Sequence, residues 1–321
     1  MTGNFVALAV CAALAAPAAA AVSVGADQTF GTLNYRGTKA NASIDVSDSL
    51  YVTPTFAAYR TDTSSGSLYQ GGLRVGYEEG PLSLGVSGAF VPEHDGYKQN
   101  SVGADLTFSL APGRARRGRR MADPASQSNE TYACGLAGIG ETSGCGLGGI
   151  VVGGAVNHIT HSDDFFAAGT SGDALRQQGA ARAKRFVVGE TDLSAFAGFR
   201  FLITEVSGSV SKSVYDKSLD NNMVRESPFM ALGEYTPIES GFPDSDYNVK
   251  VKWTILPFVN PYVSFTHTNF KLGSLPSNAT EAGINVWLDM LNVKAAYGHY
   301  GQTGFLSRDY FTIGASLNFG A

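Results

Sequence analysis

The end of the chain, from Tyr310 to Ala321, alternates between apolar side chains and small or polar ones. The apolar set is Phe311, Ile313, Ala315, Leu317 and Phe319. Because successive side chains of a β-strand point to opposite faces, this stretch predicts a strand with one apolar and one small, polar face. The same pattern recurs along most of the chain, so it constrains the whole fold.

Period-two segments separated by turn residues predict fourteen strands. They are Gln28 to Arg36, Ala40 to Ser47, Leu50 to Arg60, Ser67 to Glu78, Leu82 to Val91, Gln99 to Leu110, Leu147 to Thr160, Glu190 to Phe199, Phe201 to Lys212, Tyr247 to Ile255, Tyr262 to Lys271, Ala282 to Asp289, Val293 to Tyr300 and Arg308 to Phe319. Strands of about ten residues have the length that crosses a bilayer at a tilt. The alternative is a count of twelve strands, which omits the first two and is also an even number.

The predicted connections differ in length between the two ends of the strands. Connections such as Ser47 to Ser49 and Glu79 to Pro81 are short, whereas Ser162 to Gly189 and Ser213 to Asp246 alternate with them and are long. Short turns on one side and long loops on the other are typical of an outer-membrane barrel. The segment 111–146 breaks the pattern and is interpreted as a long insertion. The fold class predicted is all-β, a transmembrane antiparallel up-and-down barrel over residues 22–321.

Residues 1–21 precede this barrel and have the composition of an export signal. Phe5 to Ala21 is almost wholly Ala, Val, Leu and Cys and ends in a run of alanines, so it predicts a signal peptide. Charged residues are only 16% of the chain and the net charge is −5, which gives no indication of a nucleic-acid partner. Low charge with abundant Gly, Tyr and Phe favours a β protein with an apolar exterior.

Few residues outside the strands carry recognisable chemistry. In an oxidising compartment, Cys134 and Cys145 are candidates for a disulfide across a Gly-rich segment. The sequence holds no phosphate-binding glycine loop, nucleophile elbow or Cys/His metal spacing. No cofactor and no metal are therefore expected.

The signal segment, the repeated strands and the closing strand ending in Asn318-Phe319 resemble Gram-negative outer-membrane β-barrel proteins of the porin-like class. This resemblance implies a closed barrel in the outer membrane, in contact with its lipid. It also implies that the barrel-assembly machinery recognises the last strand. In that class the strand usually ends on a terminal aromatic residue, whereas here Gly320 and Ala321 follow Phe319. The resemblance specifies neither substrate nor oligomeric state.

The polar strand faces carry isolated charges of both signs. A charge facing lipid near the midplane would cost roughly 2–4 kcal/mol, so we expect these side chains to line the lumen. The set is Arg36, Asp45, Arg74, Asp105, Asp192, Glu205, Lys250, Lys252, Asp289 and Lys294. They predict a pore for passive or weakly selective diffusion of small hydrophilic solutes. The alternative is a structural or surface-binding barrel in which paired charges and loops plug the lumen.

Three further features have their own interpretations. A hydrolase at the barrel mouth, using His161 and Asp163, is a remote alternative without a supporting motif. The basic run of Arg114, Arg116, Arg117, Arg119 and Arg120 is either a contact for anionic lipid or another polyanion, or a solvated loop. Aromatic residues near strand ends predict interfacial girdles, namely Tyr51, Tyr59, Tyr69, Tyr77, Trp253, Tyr297 and Phe319.

Overall fold

The computed structural model describes residues 22–62, 66–94, 97–110, 149–165, 184–217, 243–254, 258–271, 275–288, 290–302, 304 and 306–319. Fourteen strands account for nearly all of them, which confirms the predicted count. They are β1 (Val22–Gly31), β2 (Tyr35–Asp45), β3 (Leu50–Arg60), β4 (Leu68–Glu79), β5 (Leu82–His94), β6 (Tyr97–Leu110), β7 (Ile150–Phe165), β8 (Lys184–Phe201), β9 (Thr204–Tyr215), β10 (Pro243–Trp253), β11 (Val259–Phe270), β12 (Ser277–Leu288), β13 (Leu291–Gln302) and β14 (Arg308–Phe319). None of these residues form a helix long and apolar enough to cross a membrane.

The strands form one closed antiparallel barrel in which every strand pairs with its neighbours in sequence. The ring is closed between the first and the last strand, with pairs running from Val22 and Phe319 to Gly31 and Tyr310. Closure satisfies the backbone of both edge strands, which a lipid environment requires. The predicted up-and-down barrel is therefore confirmed.

The two faces of the barrel have opposite composition. On β14, Phe311, Ile313 and Leu317 are exposed on the outside, whereas Thr312 and Ser316 are buried inside. The register carries the same division around the ring, because directly paired residues in an antiparallel sheet share a face. The exterior is thus a continuous apolar surface, as in a transmembrane barrel.

Exposed aromatic side chains lie on the outer face near both ends of the barrel. One set lies near the end that holds Val22 and Phe319, which we call the terminal end: Tyr77, Phe108, Phe199, Phe201 and Phe319. The other lies towards the opposite, far end: Phe30, Tyr69, Phe90, Tyr247 and Phe311. Tyr69 and Tyr77 on β4 are separated by about 20 Å along the barrel axis, close to the height of an outer-membrane apolar band.

Connections at the terminal end are short except for one. They are 46–49, 80–81, 202–203, 254–258 and 289–290, together with the long segment 111–149. The turn between β4 and β5 needs Gly80, whose φ of +59° lies in the left-handed region. The far end carries the longer connections 166–183 and 216–242 beside shorter ones. The predicted asymmetry holds for these two connections.

Several predicted strand bounds need correction. The first strand spans Val22–Gly31 and not Gln28 to Arg36, because a 3-10 turn at Thr32–Asn34 separates it from β2. Strands β7 and β8 extend further towards the far end than predicted, so the loop from Ser162 to Gly189 is reduced to 166–183. Strands β5 and β6 also extend beyond their predicted bounds at Val91 and Gln99, since β5 continues to His94 and β6 begins at Tyr97.

Two regions of the inner wall differ in solvent exposure. On β13, β14, β1 and β2, which we call the seam sector, the inward side chains are buried along almost the full strand length. On β8 to β12, which we call the open wall, inward side chains at mid-height are half-exposed. Solvent therefore reaches the open wall and is largely excluded from the seam sector.

Candidate functional site in the barrel lumen

Most of the predicted lumen residues lie on the inner face. The register and the burial pattern place there Asp45, Arg74, Asp105, Asp192, Glu205, Lys250, Lys252 and Lys294. Asp289 lies outside the described residues. Arg36 corrects its prediction, because it pairs with Phe30 and Arg60 on the outer face, near the far end. The cost of a charge at the bilayer midplane does not apply to Arg36, because it lies near the far end of the barrel.

Two residues of the predicted aromatic girdles also need correction. Tyr51 and Tyr59 are buried on the inner face of β3, whereas Tyr69, Tyr77, Tyr297 and Phe319 are exposed outside. Tyr59 belongs to a buried cluster at the far end, with Tyr35, Leu68, Tyr300 and Tyr310 among its members. Aromatic side chains therefore cover part of the inner wall as well as the lipid surface.

Arg74 and Asp105 form an ion pair that reaches across β5. Arg74 Nη2 lies 2.6 Å from Asp105 Oδ1, and Arg74 Nε lies 3.2 Å from Asp105 Oδ2. The guanidinium also donates to the hydroxyl of Tyr51. Gly85 of the intervening strand makes this contact possible, since a Cβ there would lie 2.2 Å from Asp105 Oδ2. Bidentate pairs of this kind fix both side chains in the wall.

Two more charge pairs lie on the other side of the lumen. Lys252 Nζ lies 3.9 Å from Glu205 Oε2, and Lys294 Nζ lies 3.5 Å from Glu281 Oε1. In a ring of fourteen strands, those seven apart face each other across the lumen, so β6 faces β13. Asp105 and Lys294 therefore stand on opposite sides, and the lumen passes between the two groups of charges.

Tyr262 lies between two lysines. Its hydroxyl donates to Glu281 Oε1 at 2.5 Å, while Lys250 Nζ lies 4.5 Å and Lys294 Nζ 5.4 Å from the ring centroid. Such distances are typical of cation–π contacts. The ring rests against Gly283, where a Cβ would lie 2.5 Å from Tyr262 Cζ. Tyr262 thereby joins Lys250 on the open wall to Lys294 in the seam sector.

Three carboxylates lie on the open wall nearer the far end, and we call Glu190, Asp192 and Asp246 the acidic patch. Glu190 Oε2 lies 2.8 Å from His161 Nε2. Asp192 accepts a hydrogen bond from Ser213 Oγ at 2.5 Å. Asp246 accepts one from Ser211 Oγ at 3.1 Å. The patch faces inward from β8 and β10, across β9.

Sequence reasoning identified Asp192 but missed the rest of this patch. Glu190 stood at a predicted strand end and Asp246 in a predicted loop, because both strands were taken as too short. The signal that would have found Asp246 is the alternation of Asp246, Asn248, Lys250 and Lys252 along β10. Asp27 and Lys39, which face each other across β1 and β2 in the seam sector, were missed for the same reason.

His161, which was named for a mouth-located hydrolase, does not converge with the nearby His158. His161 faces inward to Glu190, whereas His158 is exposed on the outer face, with Nδ1 3.1 Å from Thr191 Oγ1. The side chain of Asp163 lies outside the described part of the chain. Within that part, no group of three or more His, Cys, Asp or Glu is arranged to hold a metal ion.

Comparisons with known proteins extend to the fold alone. No protein-family model matches the sequence, and no curated protein matches it. Among solved structures, CdiB from Acinetobacter baumannii gives a TM-score of 0.47 at 12% identity, over 94% of this chain and 60% of that one. OccAB4 from the same species gives 0.44 at 12% identity, over 88% of this chain and 66% of that one.

A third similar structure is a loop-deletion mutant of OmpT, an outer membrane protein of Vibrio cholerae. It gives a TM-score of 0.42 at 11% identity, covering 94% of this chain and 98% of that one. The chain spans less than two thirds of CdiB and OccAB4. At TM-scores below 0.5, these distant likenesses carry no argument about architecture or transport.

Proposed function

We propose that this protein is an outer-membrane pore through which small hydrophilic solutes diffuse passively, with weak selectivity. The observation that carries the proposal is the contrast between the apolar exterior and the polar, half-exposed open wall inside. Apolar outer faces fit hydrocarbon lipid, and polar inner faces fit water. The proposed location is the outer membrane of a Gram-negative bacterium, and the proposed role is not catalytic.

The width of the barrel supports passage. Fourteen strands spaced about 4.8 Å apart and tilted as in known barrels give a diameter of roughly 25 Å between backbone axes. Side chains of about 5 to 6 Å on each side leave room for water and small solutes unless loops fill the space. Solvent exposure of the open wall agrees with an aqueous path along β8 to β12.

The charges on the inner wall support weak selectivity. Arg74 with Asp105, Lys252 with Glu205 and Lys294 with Glu281 are pairs of opposite sign. Such pairs largely cancel at a distance, so no single sign of solute is strongly excluded. Small uncharged solutes and ions of both signs are therefore the expected cargo.

Parts of the proposal concern residues outside the described ranges. Residues 1–21 remain a proposed signal peptide and the segment 111–146 a proposed insertion. The run from Arg114 to Arg120 remains a proposed contact for anionic lipid, and Cys134 with Cys145 a proposed disulfide. The last strand, β14, is the proposed recognition element for the assembly machinery. Partners beyond these are lipid and solutes.

The direct test is electrical recording with purified, refolded protein in planar lipid bilayers in KCl. Discrete open-channel steps are expected, together with recovery in the outer-membrane fraction and faster gel migration of the unheated protein. A preparation that shows the folded, faster-migrating form but no conductance would overturn the pore. A mature protein that stays soluble and compact without detergent would overturn the membrane location as well.

A barrel with a plugged lumen is the second candidate, and the seam sector favours it. Tyr300, Ser316 and Asn292 are at most 3% exposed on an inner wall, and such burial requires other atoms to lie against the wall. In this case the loops would recognise a partner while solutes are blocked. Folded but electrically silent protein supports this candidate, and conductance that persists for seconds at constant voltage contradicts it.

A further inference from the structure

The open wall carries charges of both signs that have no ionic partner in the part of the chain described. Asp192 and Asp246 make hydrogen bonds to serine hydroxyls but no ion pair there. Lys250 contacts the ring of Tyr262 and likewise has no ion pair with a described residue. All three are half-exposed on the inner face. Charges in this situation are available to groups of opposite sign on a solute.

A second observation is an unpartnered buried amide beside the acidic patch. Asn157 pairs with Asp192 in the register of β7 and β8, so its side chain lies beside that carboxylate on the inner face. It is 1% exposed, and neither its Oδ1 nor its Nδ2 has a hydrogen-bond partner among the described residues. A buried amide without partners is costly. A bound polar group that reaches this wall would satisfy it.

The unpaired charges are separated along the direction of transport. Asp246 and Lys250 both face inward from β10, with Asn248 between them. Four residues of strand correspond to about 13 Å. Asp192 extends the negative side onto β8, whereas Lys252 and Lys294, nearer the terminal end, are paired with Glu205 and Glu281. The wall thus presents a negative region and a positive region at a fixed spacing.

We propose that this wall binds zwitterionic, peptide-like solutes, with the ammonium group at Asp192 and Asp246 and the carboxylate at Lys250. The inference rests on the proposed pore and names its preferred solute class. An extended peptide of about four residues spans roughly 13 Å between its ends, which matches the spacing on β10. A single amino acid is too short to reach both regions. Polar peptide groups between the ends face Asn248 and Ser211.

The test measures the blocking of single-channel current by tetra-alanine and its capped forms. The free peptide is expected to stay bound about tenfold longer than N-acetyl-tetra-alanine or tetra-alanine amide, because each cap removes one charge contact. The doubly capped peptide and free alanine serve as neutral and short controls. Free alanine is expected to dwell as briefly as the singly capped peptides, and the doubly capped peptide more briefly still.

Variants of the open wall test which residues contact each end of the peptide. Lys250→Gln is expected to make the free and C-amidated peptides equal. The double variant Asp192→Asn with Asp246→Asn is expected to make the free and N-acetylated peptides equal. Arg60→Gln, on the exposed outer face, is the matched control and leaves the tenfold difference in place. Equal dwell times for all peptides in a conducting wild-type channel overturn this inference alone, whereas a folded channel without KCl conductance overturns the pore and the inference together.

Discussion

The seam sector and the open wall both present charged side chains to the lumen. These side chains are buried in the seam sector, whereas several on the open wall are half-exposed. In the seam sector Asp27 and Lys39 are register partners, 4% and 6% exposed, and Lys294 is paired with Glu281. On the open wall Asp192, Asp246 and Lys250 are half-exposed and have no ion pair with a described residue. An isolated charge is costly to bury, whereas water stabilises it where it is exposed.

The difference teaches that alternation alone does not define the role of an inward charge. Both regions follow the same period-two rule, yet the seam sector buries its inward charges and the open wall leaves Asp192, Asp246 and Lys250 partly exposed. Changing one side chain in each region tests this division.

The largest expected effect is the loss of one charge from the seam sector. Lys39→Met leaves Asp27 buried beside an apolar side chain, so the free energy of unfolding should fall by about 3 kcal/mol. Lys250→Met on the open wall should lower it by less than about 1 kcal/mol, because its charge is partly hydrated. Urea unfolding in lipid vesicles measures both values.

The double variant Asp27→Asn with Lys39→Met provides the control for this pair. It removes both charges and should recover part of the loss seen with Lys39→Met alone. Equal losses for Lys39→Met and Lys250→Met would show that the seam sector and the open wall do not differ in this respect.

A smaller effect is expected at the boundary between the two regions. Gly283→Ala places a Cβ 2.5 Å from Tyr262 Cζ, so the ring must move away from Lys250 and Lys294. We expect a loss of about 2 kcal/mol in unfolding free energy. Gly88→Ala is the matched control, because its Cβ would meet the nearest atom at 3.6 Å. Similar stabilities for the two variants would contradict the packing described for Tyr262.

The hydroxyl of Tyr262 should contribute less than its ring. Tyr262→Phe removes the hydrogen bond to Glu281 but retains the contacts with both lysines, so about 1 kcal/mol of unfolding free energy should be lost. Tyr69→Phe on the exposed outer face is the comparison and should be close to neutral. The same urea titration measures both. If Tyr262→Phe lowers the free energy of unfolding as much as Gly283→Ala does, the hydroxyl and not the ring is the main stabilising group at this boundary.

The smallest effect concerns ion preference on the open wall. Lys250→Gln removes one positive charge from the solvent-exposed inner face, so the ratio of cation to anion permeability should rise roughly twofold. Reversal potentials in a KCl gradient measure this ratio. Lys217→Gln, exposed near the far end, should leave it close to the wild-type value. An unchanged ratio for Lys250→Gln would place the ion path away from the open wall.

The strand count and the outward faces could be predicted because period-two alternation is a local property of the chain. The first turn could not, since Leu33 and Asn34 adopt φ of 58° and 52° although neither is a glycine. The far ends of β7 and β8 were missed because polar residues such as His161 and Asp163 resemble a loop in sequence. Strands that extend beyond lipid no longer need an apolar face.

The sequence predicted several of the charged residues that face the lumen, but it did not predict which of them contact one another. Arg74 and Asp105 lie on strands that are not neighbours, and their pairing depends on two registers and on the space left by Gly85. The position of Tyr262 between Lys250 and Lys294 depends in the same way on three registers. Such contacts arise from the closed ring and have no counterpart in the spacing of residues along one strand.

The pairing of β1 with β14 has a consequence for how the barrel is made. Every other strand can pair with a neighbour as soon as that neighbour is available, but this pair joins segments nearly three hundred positions apart. Until it forms, the sheet keeps two unsatisfied edges that hydrocarbon cannot accommodate and that could join to other chains. Closure of the barrel therefore depends on the pairing of β1 with β14. If that pairing fails to form, the barrel stays open.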